Sequence, residues 1–338
     1  MSKDNSATRM SGFSLPISNL IKCIACIVIA LHHYSQFGID KEYISGPIYS
    51  VFRSVGGDLS VTLFFLLSGY GLMASETKKH LDLLDFMKKR FWRLLKPFWI
   101  ANILFVFIYW ILGTPNIATS SLSNAVLSCV GIVKFDGTMW FVHVLILLYI
   151  FFAIAIQVKN RALLVTSVLT LIFIIVSILC GMGSHFWSSA FAFPAGMALY
   201  LYKDMLFAFA RNIYVPIVAV VAYVFLLYGL VFYLHLDNSI WHQLNNILIV
   251  VLLVVVVSHL PNNCLQSFKF PKWLDAYYEM YLAHPKILYL MYFSFGSFWS
   301  LPEYLGFSVL GAIVLHFITS LSFENRKNNN KRSCQPLK

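Results

Sequence analysis

Charged residues are scarce in this sequence, and acidic residues are the scarcest of them. Of 338 residues, 59% are apolar and 12% are charged, with 14 acids against 25 lysines and arginines. Soluble domains carry about 25% charged residues, so this composition excludes soluble α/β and all-β folds. We predict an all-α protein, a polytopic membrane helix bundle embedded in a lipid bilayer. Its excess of positive charge is confined to particular loops and therefore indicates membrane topology, with no nucleic acid as partner.

Cysteine is also sparse, and the common metal and cofactor motifs are missing. The six cysteines include a C-x-x-C at Cys23 and Cys26, inside an apolar segment and without a second pair, which favours packing over a redox or metal site. The sequence has no H-E-x-x-H, G-x-S-x-G or Walker A motif. We therefore predict no metal and no permanently bound cofactor. The first apolar run ends in two histidines, so we expect no cleavable signal peptide.

Ten apolar stretches approach the length of about 20 residues that a membrane span needs. They are residues 17–34, 59–74, 97–112, 139–156, 162–180, 186–201, 213–234, 244–260, 277–293 and 303–321. With the N-terminus inside, twenty basic residues fall on the inner side and three on the outer side, as the positive-inside rule favours. We predict about ten transmembrane helices with both termini cytoplasmic.

The same count divides the chain into one membrane domain and two tails. We expect a disordered cytoplasmic tail at 1–16, the membrane domain at 17–322 and a basic cytoplasmic tail at 323–338. The longest outer loops, 35–58 and 113–138, are placed to cover a site from outside. The inner loop 75–96 alternates apolar and basic residues at helical spacing, which is typical of an interfacial amphipathic helix.

The first span carries an unusual set of polar side chains. Lys22 and His33 are eleven positions apart, close to three helical turns, so they share one face and lie about 16 Å apart along the axis. Charge inside a membrane is costly, which makes this face a candidate functional site. The alternative is a lysine that snorkels to the inner headgroups and a histidine at the outer interface.

Two further segments allow both a packing and a binding interpretation. Ser68 and Gly69 interrupt a span of large apolar residues, either for close helix packing or as a backbone-exposed wall beside a ligand. Arg90 and Arg93 share a helix face in a dense basic run. They suit either anionic lipid headgroups or the phosphates of a nucleotide-like cofactor.

Two later spans hold the remaining candidates. Trp140 and His143 open the fourth span on its outer side, as interfacial belt residues or as lining of a site. Pro285 breaks the ninth span between His284 and Lys286, and we expect these two groups to line a functional cavity. Among the isolated histidines, His242 is assigned to a loop, whereas His316 in the last span is expected to donate a helix–helix hydrogen bond.

Taken in order, these segments resemble the acyltransferase-3 family of membrane acyltransferases. The motifs of that family are matched by Lys22 and His33; Phe64, Phe65, Ser68, Gly69 and Tyr70; Lys89, Arg90, Arg93, Lys96, Pro97 and Trp99; Trp140, Phe141, Leu145 and Tyr149; and Tyr281, Leu282, His284 and Pro285. The resemblance covers nearly the whole chain. One departure is Lys22, which stands where the family has arginine and keeps the charge without the planar fork.

The resemblance implies a membrane enzyme at the plasma membrane. It would move an acyl group, usually acetyl, from cytosolic acetyl-CoA or another acyl-CoA to a hydroxyl of a cell-surface or cell-wall glycan or its lipid-linked precursor. His33 would be the catalytic base or transient acyl carrier, assisted by His284. The donor would meet Lys22, Ser68, Gly69, Arg90 and Arg93, and the acceptor would meet Trp140, His143 and Tyr281.

Two other functions stay open from the sequence. A transporter or flippase of a lipid-linked glycan or small metabolite would use the same spans without acyl-CoA. The near absence of acidic residues from the spans argues against proton-coupled transport. A catalytically inactive membrane scaffold would follow if the arginine replaced by Lys22 were indispensable.

Overall fold

The computed structural model describes residues 10–158, 160–228, 239–261 and 275–333. All regular elements in these ranges are helices, without a strand, so the predicted all-α class is confirmed for them. The chain divides into two compact units. Unit 1 comprises Met1–Met87 and Trp140–Phe270, and unit 2 comprises Lys88–Met139 and Pro271–Lys338. Several basic residues of the charge count, among them Lys159, Lys269 and Lys272, lie outside the described residues.

Unit 1 is built around its second helix. Its helices are α1 (Leu15–Asp40), α2 (Pro47–Lys78), α5 (Trp140–Ala155), α6 (Ala162–Leu179), α7 (Ala192–Leu201), α8 (Lys203–Ala210), α9 (Tyr214–Tyr228) and α10 (Ser239–His259). Helix α2 packs along α1, α7 and α10, while α10 also packs against α8 and α9. The apolar side chains of α2 from Val61 to Leu67 are almost all buried, as expected of a central helix.

Unit 2 contains four helices. They are α3 (Leu83–Ile111, of which the first five residues belong to unit 1), α4 (Leu122–Val130), α11 (Tyr277–Phe293) and α12 (Leu301–Ser333). Helices α11 and α12 pack against each other. The His316 imidazole of α12 lies 3.2 Å from the Glu279 carboxylate of α11. Because a carboxylate oxygen accepts, His316 donates the helix–helix hydrogen bond that the sequence predicted.

Six helices are long and apolar enough to cross a membrane: α1, α2, α3, α6, α10 and α12. Helices α8 and α9 together form a broken seventh candidate that bends by 81°. Helices α5 and α7 are apolar but shorter, with 16 and 10 residues, and α11 has 17 residues. Each of the ten predicted spans overlaps one of these helices. The number ten and the side of the termini stay predictions.

One predicted inner segment is joined to the neighbouring spans. The helix predicted within 75–96 is present, but it is not separate, because α2 continues to Lys78 and α3 runs from Leu83 through Pro97 as one helix. The hydroxyl of Tyr278 donates to the Leu94 carbonyl at 3.0 Å, close to the backbone bond that Pro97 removes. The amphipathic segment and the third span therefore form one continuous helix. Hydropathy did not show this, because it indicates which residues lie in the bilayer and not where a helix begins or ends.

The described part of the N-terminal tail is anchored to unit 1. Met10 and Phe13 are buried, Met10 accepts a hydrogen bond from Arg211, and the Phe13 amide donates to the Tyr70 hydroxyl at 3.0 Å. The Ser14 side chain caps α1, which begins at Leu15. The predicted disorder of 1–16 is thus wrong from Met10 onward, because two apolar side chains insert into unit 1. Residues 1–9 lie outside the described residues.

Candidate functional site

The two histidines of α1 lie half-buried in unit 1, and they contact each other. The His32 Nδ1 is 2.9 Å from the Phe52 carbonyl, and since a carbonyl only accepts, this nitrogen carries the hydrogen. The other side of the ring packs on Gly57, where a Cβ would lie 2.9 Å from Nε2. The His33 ring meets His32 edge-on, with centroids 4.9 Å apart. His32 is therefore the fixed support against which His33 packs.

A carboxylate and a third imidazole lie close to this histidine pair. Asp58 of α2 accepts a hydrogen bond through Oδ2 from Nδ1 of His242 in the first turns of α10. Asp58 directly follows Gly57, on which the His32 ring packs. Sequence reasoning assigned both Asp58 and His242 to loops and missed the pair. The sequence did contain one indication of this site. Asp58 and His242 each lie just before a predicted span, and acidic residues are rare in this chain.

A second polar layer follows one helical turn away on the same two helices. Thr62 and Asn246 are each four residues beyond Asp58 and His242, and the Thr62 hydroxyl donates to the Asn246 carbonyl oxygen at 2.8 Å. The Asn246 amide donates to the Ser188 carbonyl at 3.1 Å. We call Asp58, Thr62, His242 and Asn246 the polar seam. It is hydrogen-bonded and buried at Thr62 and Asn246, and half-buried at Asp58 and His242.

The predicted donor-site residues Ser68 and Gly69 lie where α2 meets α7. Gly69 is buried, and a Cβ there would come within 2.0 Å of the Phe193 carbonyl oxygen. On the opposite helix, a Cβ on Gly196 would come within 2.0 Å of the Leu66 carbonyl oxygen. The two backbones therefore touch, and this contact accounts for Gly69 by helix packing. Ser68 is half-buried beside it.

The basic candidates fall on two helices. Lys22 is half-buried on α1 in unit 1, whereas Arg90 and Arg93 lie on α3 in unit 2, the first half-buried and the second exposed. Lys96, at the end of the same basic run, is buried and donates to the Thr319 carbonyl at 2.6 Å. That lysine ties α3 to α12, so its ammonium is engaged inside unit 2.

The predicted acceptor residues of α5 differ in exposure. Trp140 is half-buried, and its ring meets His185 with centroids 5.3 Å apart. His143, one turn further along α5, is exposed. The two side chains thus lie three positions apart at the start of one helix, with different exposure.

The ninth predicted span, α11, places Tyr281 and His284 together inside unit 2. Both side chains are buried, with ring centroids 5.8 Å apart. The Tyr281 hydroxyl donates to the Thr138 carbonyl at 2.7 Å, and His284 Nδ1 lies 3.0 Å from the Met280 carbonyl. His284 is in unit 2 and His33 is in unit 1.

Lys286 forms a buried ion pair that the sequence did not predict. Its Nζ is 2.6 Å from Oδ2 of Asp136, with side-chain exposures of 1% and 8%. Burial acts to raise the pKa of Asp136, but the charge and hydrogen bond of Lys286 and the hydrogen bonds from Thr138 hold that pKa below its ordinary value. Lys286 thus binds a loop carboxylate within unit 2, which neutralises its charge, and its predicted role in lining a functional cavity stays a prediction.

Within the described ranges, no group of three or more histidine, cysteine or acidic residues is arranged to hold a metal ion. The chemical groups that unit 1 offers are instead the imidazole pair of His32 and His33 and the hydrogen-bonded carboxylate, imidazole and amide of the polar seam. Such groups transfer protons and hydrogen-bond hydroxyls.

Comparison with known proteins identifies the family. A family model described as an acyltransferase domain matches residues 16–323, nearly the whole chain. No curated protein and no solved structure gave a match. The match contains every candidate residue discussed above, and the apolar helices fit an enzyme of the membrane. The chain therefore belongs to the acyltransferase-3 family and is a multi-pass membrane acyltransferase.

Proposed function

We propose that this protein is an O-acetyltransferase of the plasma membrane. It takes acetyl from cytosolic acetyl-CoA and transfers it to a hydroxyl of a cell-surface or cell-wall glycan or of its lipid-linked precursor. Family membership supports acyl transfer. The observation that carries the assignment is His33, a half-buried imidazole on a membrane helix whose ring packs on an immobilised neighbour.

His33 acts as the general base of this reaction. An imidazole has an unperturbed pKa of about 6.5, so it exchanges protons near neutral pH. His33 removes the proton of the acceptor hydroxyl as its oxygen attacks the thioester carbonyl. The tetrahedral intermediate then breaks its C–S bond, and the departing thiolate of coenzyme A takes the proton from the imidazolium. One ester and one thiol form, and the imidazole returns to its neutral state.

Basic side chains at the inner face hold the donor. We assign the phosphates of acetyl-CoA to Arg90 and Arg93 of unit 2, whose planar forks suit bidentate binding, and keep Lys22 of unit 1 as a separate point-charge candidate. The rise of the helix places Lys22 about 16 Å from His33, so the acetyl end of the donor reaches outward along α1 from an inner phosphate site. Ser68 lies on the neighbouring helix along that route. On the acceptor side we assign orienting roles to Trp140, His143, Tyr281 and His284.

Replacing the base tests the assignment. We expect His33→Ala to lower acetyl transfer at least about 100-fold, the usual contribution of a general base. Radiolabelled acetyl-CoA and de-O-acetylated polysaccharide from the cells that make the protein serve as substrates for purified protein in proteoliposomes. His80→Ala is the matched control, because His80 is an exposed imidazole beside Glu76. Wild-type rates in a correctly inserted His33→Ala protein would contradict the role.

The same proteoliposomes distinguish the enzyme from a transporter. A flippase would move a fluorescent lipid-linked glycan between leaflets without coenzyme A and would release no thiol. The enzyme releases one free thiol for each ester formed. Glycolipid movement without thiol release would contradict the acetyltransferase assignment and support the transporter assignment.

A further inference from the structure

The outer end of the polar seam contains a carboxylate that can accept more hydrogen bonds than it receives. Within the described part of the chain, the Asp58 carboxylate accepts a hydrogen bond from His242 alone, through Oδ2. The two side chains are 17% and 20% exposed. They are thus accessible to a small polar group but shielded from bulk water, where a charge-assisted hydrogen bond is strong.

Other groups at this end of unit 1 also suit a polyhydroxylated ligand. Gln243 follows His242 and donates to the Ser188 carbonyl at 2.7 Å. A carboxylate, an imidazole and an amide are side chains that exchange hydrogen bonds with hydroxyl groups.

A purely structural role explains these contacts less well. Joining α2 to α10 requires no charge, since the Thr62–Asn246 bond one turn away already joins them with neutral groups. A carboxylate close to a membrane span costs free energy, which makes it a candidate functional group. Asp58 also follows Gly57, on which the His32 ring packs, and His32 in turn packs on His33.

We propose that Asp58 and His242 form the acceptor subsite of this enzyme. Asp58 Oδ1 accepts a hydrogen bond from a sugar hydroxyl adjacent to the one that His33 deprotonates, and His242 is a positioning residue that fixes the carboxylate through Oδ2. The subsite lies at the end of unit 1 where α1 ends and α10 begins, which is the outer end in the predicted topology. This inference rests on the proposed acetyl transfer to a glycan.

Steady-state kinetics test the subsite. Asp58→Asn keeps the shape of the side chain and an oxygen that accepts from His242, but removes the charge. We expect the KM for de-O-acetylated polysaccharide to rise about tenfold or more, the effect of weakening one hydrogen bond to a charged group. The KM for acetyl-CoA stays unchanged. Asp58→Glu, which restores the charge one methylene away, is expected to recover part of the affinity.

The matched control is Asp40→Asn. Asp40 is an exposed carboxylate at the end of α1 that pairs with Arg53 at 2.7 Å, so the variant removes the same charge near the same end of unit 1. We expect wild-type KM values for both substrates. An equal rise of the polysaccharide KM in Asp40→Asn would show general attraction by surface charge and would overturn the subsite.

A second measurement uses the unaltered protein and does not depend on how the variants fold. Diethyl pyrocarbonate modification of His242 is followed by mass spectrometry. We expect de-O-acetylated polysaccharide to slow this modification at least threefold, which requires occupancy of about two-thirds of the sites or more, and coenzyme A to leave it unchanged. Unchanged modification with saturating polysaccharide would overturn the subsite.

The outcomes separate the subsite from the proposed function. Wild-type protein that transfers acetyl groups, together with an Asp58→Asn protein of wild-type polysaccharide KM, overturns the subsite and leaves the acetyltransferase intact. Wild-type protein that transfers no acetyl group overturns both.

Discussion

Lys286 shows how a single charge inside a helix of unit 2 is made tolerable. Its ammonium contacts Asp136 at 2.6 Å and the Leu282 carbonyl at 3.1 Å, and its side chain is only 1% exposed. Asp136 in turn accepts hydrogen bonds from the amide and hydroxyl of Thr138. Because each charge is compensated mainly by the other, removing either partner leaves a poorly compensated buried charge.

We therefore expect Lys286→Met to destabilise unit 2 by about 3–5 kcal/mol, the usual effect of breaking a buried pair. Size-exclusion chromatography of heated, detergent-solubilised protein measures the loss as a lower apparent melting temperature. The control is Arg53→Ala, which breaks the exposed pair with Asp40 and costs about 0–1 kcal/mol. Equal melting temperatures for the two variants would contradict the structural role of the buried pair.

The contribution of the Asp136–Lys286 pair to stability depends on pH. In the folded protein the pKa of Asp136 lies below its ordinary value of about 4. Its stabilising contribution is therefore complete at neutral pH and is lost as the pH falls through that ordinary value toward the folded one. Asp136→Asn should remove this part of the acid sensitivity and, at neutral pH, resemble Lys286→Met in stability.

Among the helix contacts, the one between α2 and α7 leaves the least space for a larger side chain. Gly69 and Gly196 each face a backbone carbonyl of the opposite helix, at 2.0 Å from the position of an added Cβ. We expect Gly69→Ala to force the helices apart and to destabilise unit 1 by about 1–3 kcal/mol. The KM of the remaining folded protein for acetyl-CoA stays at its wild-type value, as measured in the acetyl-transfer assay.

Gly71 provides the matched control two residues further along α2. No atom lies within 4 Å of a Cβ added there, so Gly71→Ala should leave the melting temperature unchanged or slightly raise it. The binding interpretation of Gly69 makes the opposite prediction: Gly69→Ala would raise the KM for acetyl-CoA at unchanged thermal stability. The two measurements together thus decide between packing and a donor-site wall.

The helices were predictable from the sequence to the extent that apolar runs mark them. Each predicted span overlaps a helix, but α10 begins at Ser239, before the apolar run at 244, and α3 begins at Leu83, before the run at 97. A helix can continue beyond its apolar run into polar residues. Hydropathy therefore marks the apolar run but not the first or last residue of the helix.

The residue pairs were harder to predict than the helices. Asp58 pairs with His242 across 184 positions, and Asp136 pairs with Lys286 across 150. Neither partner of such a pair carries a local signal that names the other. Single residues with an internal constraint, such as His316 within an apolar span, were predictable because a buried imidazole must find a hydrogen-bond partner.

At the scale of the whole molecule, the open question is how many of the shorter helices cross the bilayer. Helix α5 has 16 residues and spans about 24 Å, less than the hydrocarbon thickness of about 30 Å. The predicted topology has α5 crossing, with Lys134 before it on the outer side and Lys159 and Arg161 after it on the inner side. A short helix crosses when flanking residues snorkel and the bilayer thins locally.

Two positions on either side of three predicted crossings test this topology. Cys180 is an exposed thiol directly after α6, and Thr77 is exposed at the end of α2. Between them lie α3, α5 and α6, so the sites are on opposite faces only if all three helices, or only one of them, cross the membrane. Because α3 and α6 are each long and apolar enough to span, the outcome depends on α5.

Labelling with a membrane-impermeant maleimide in intact cells provides the measurement. The protein carries either Cys180 alone or Thr77→Cys alone, with the other cysteines replaced by serine. We expect Cys180 to be labelled from outside, and Thr77→Cys only after the membrane is permeabilised. If α5 lay along the surface instead, both thiols would react under the same condition. The inner and outer assignments of the polar seam, Lys22 and the arginines would then lose their common basis in the positive-inside rule.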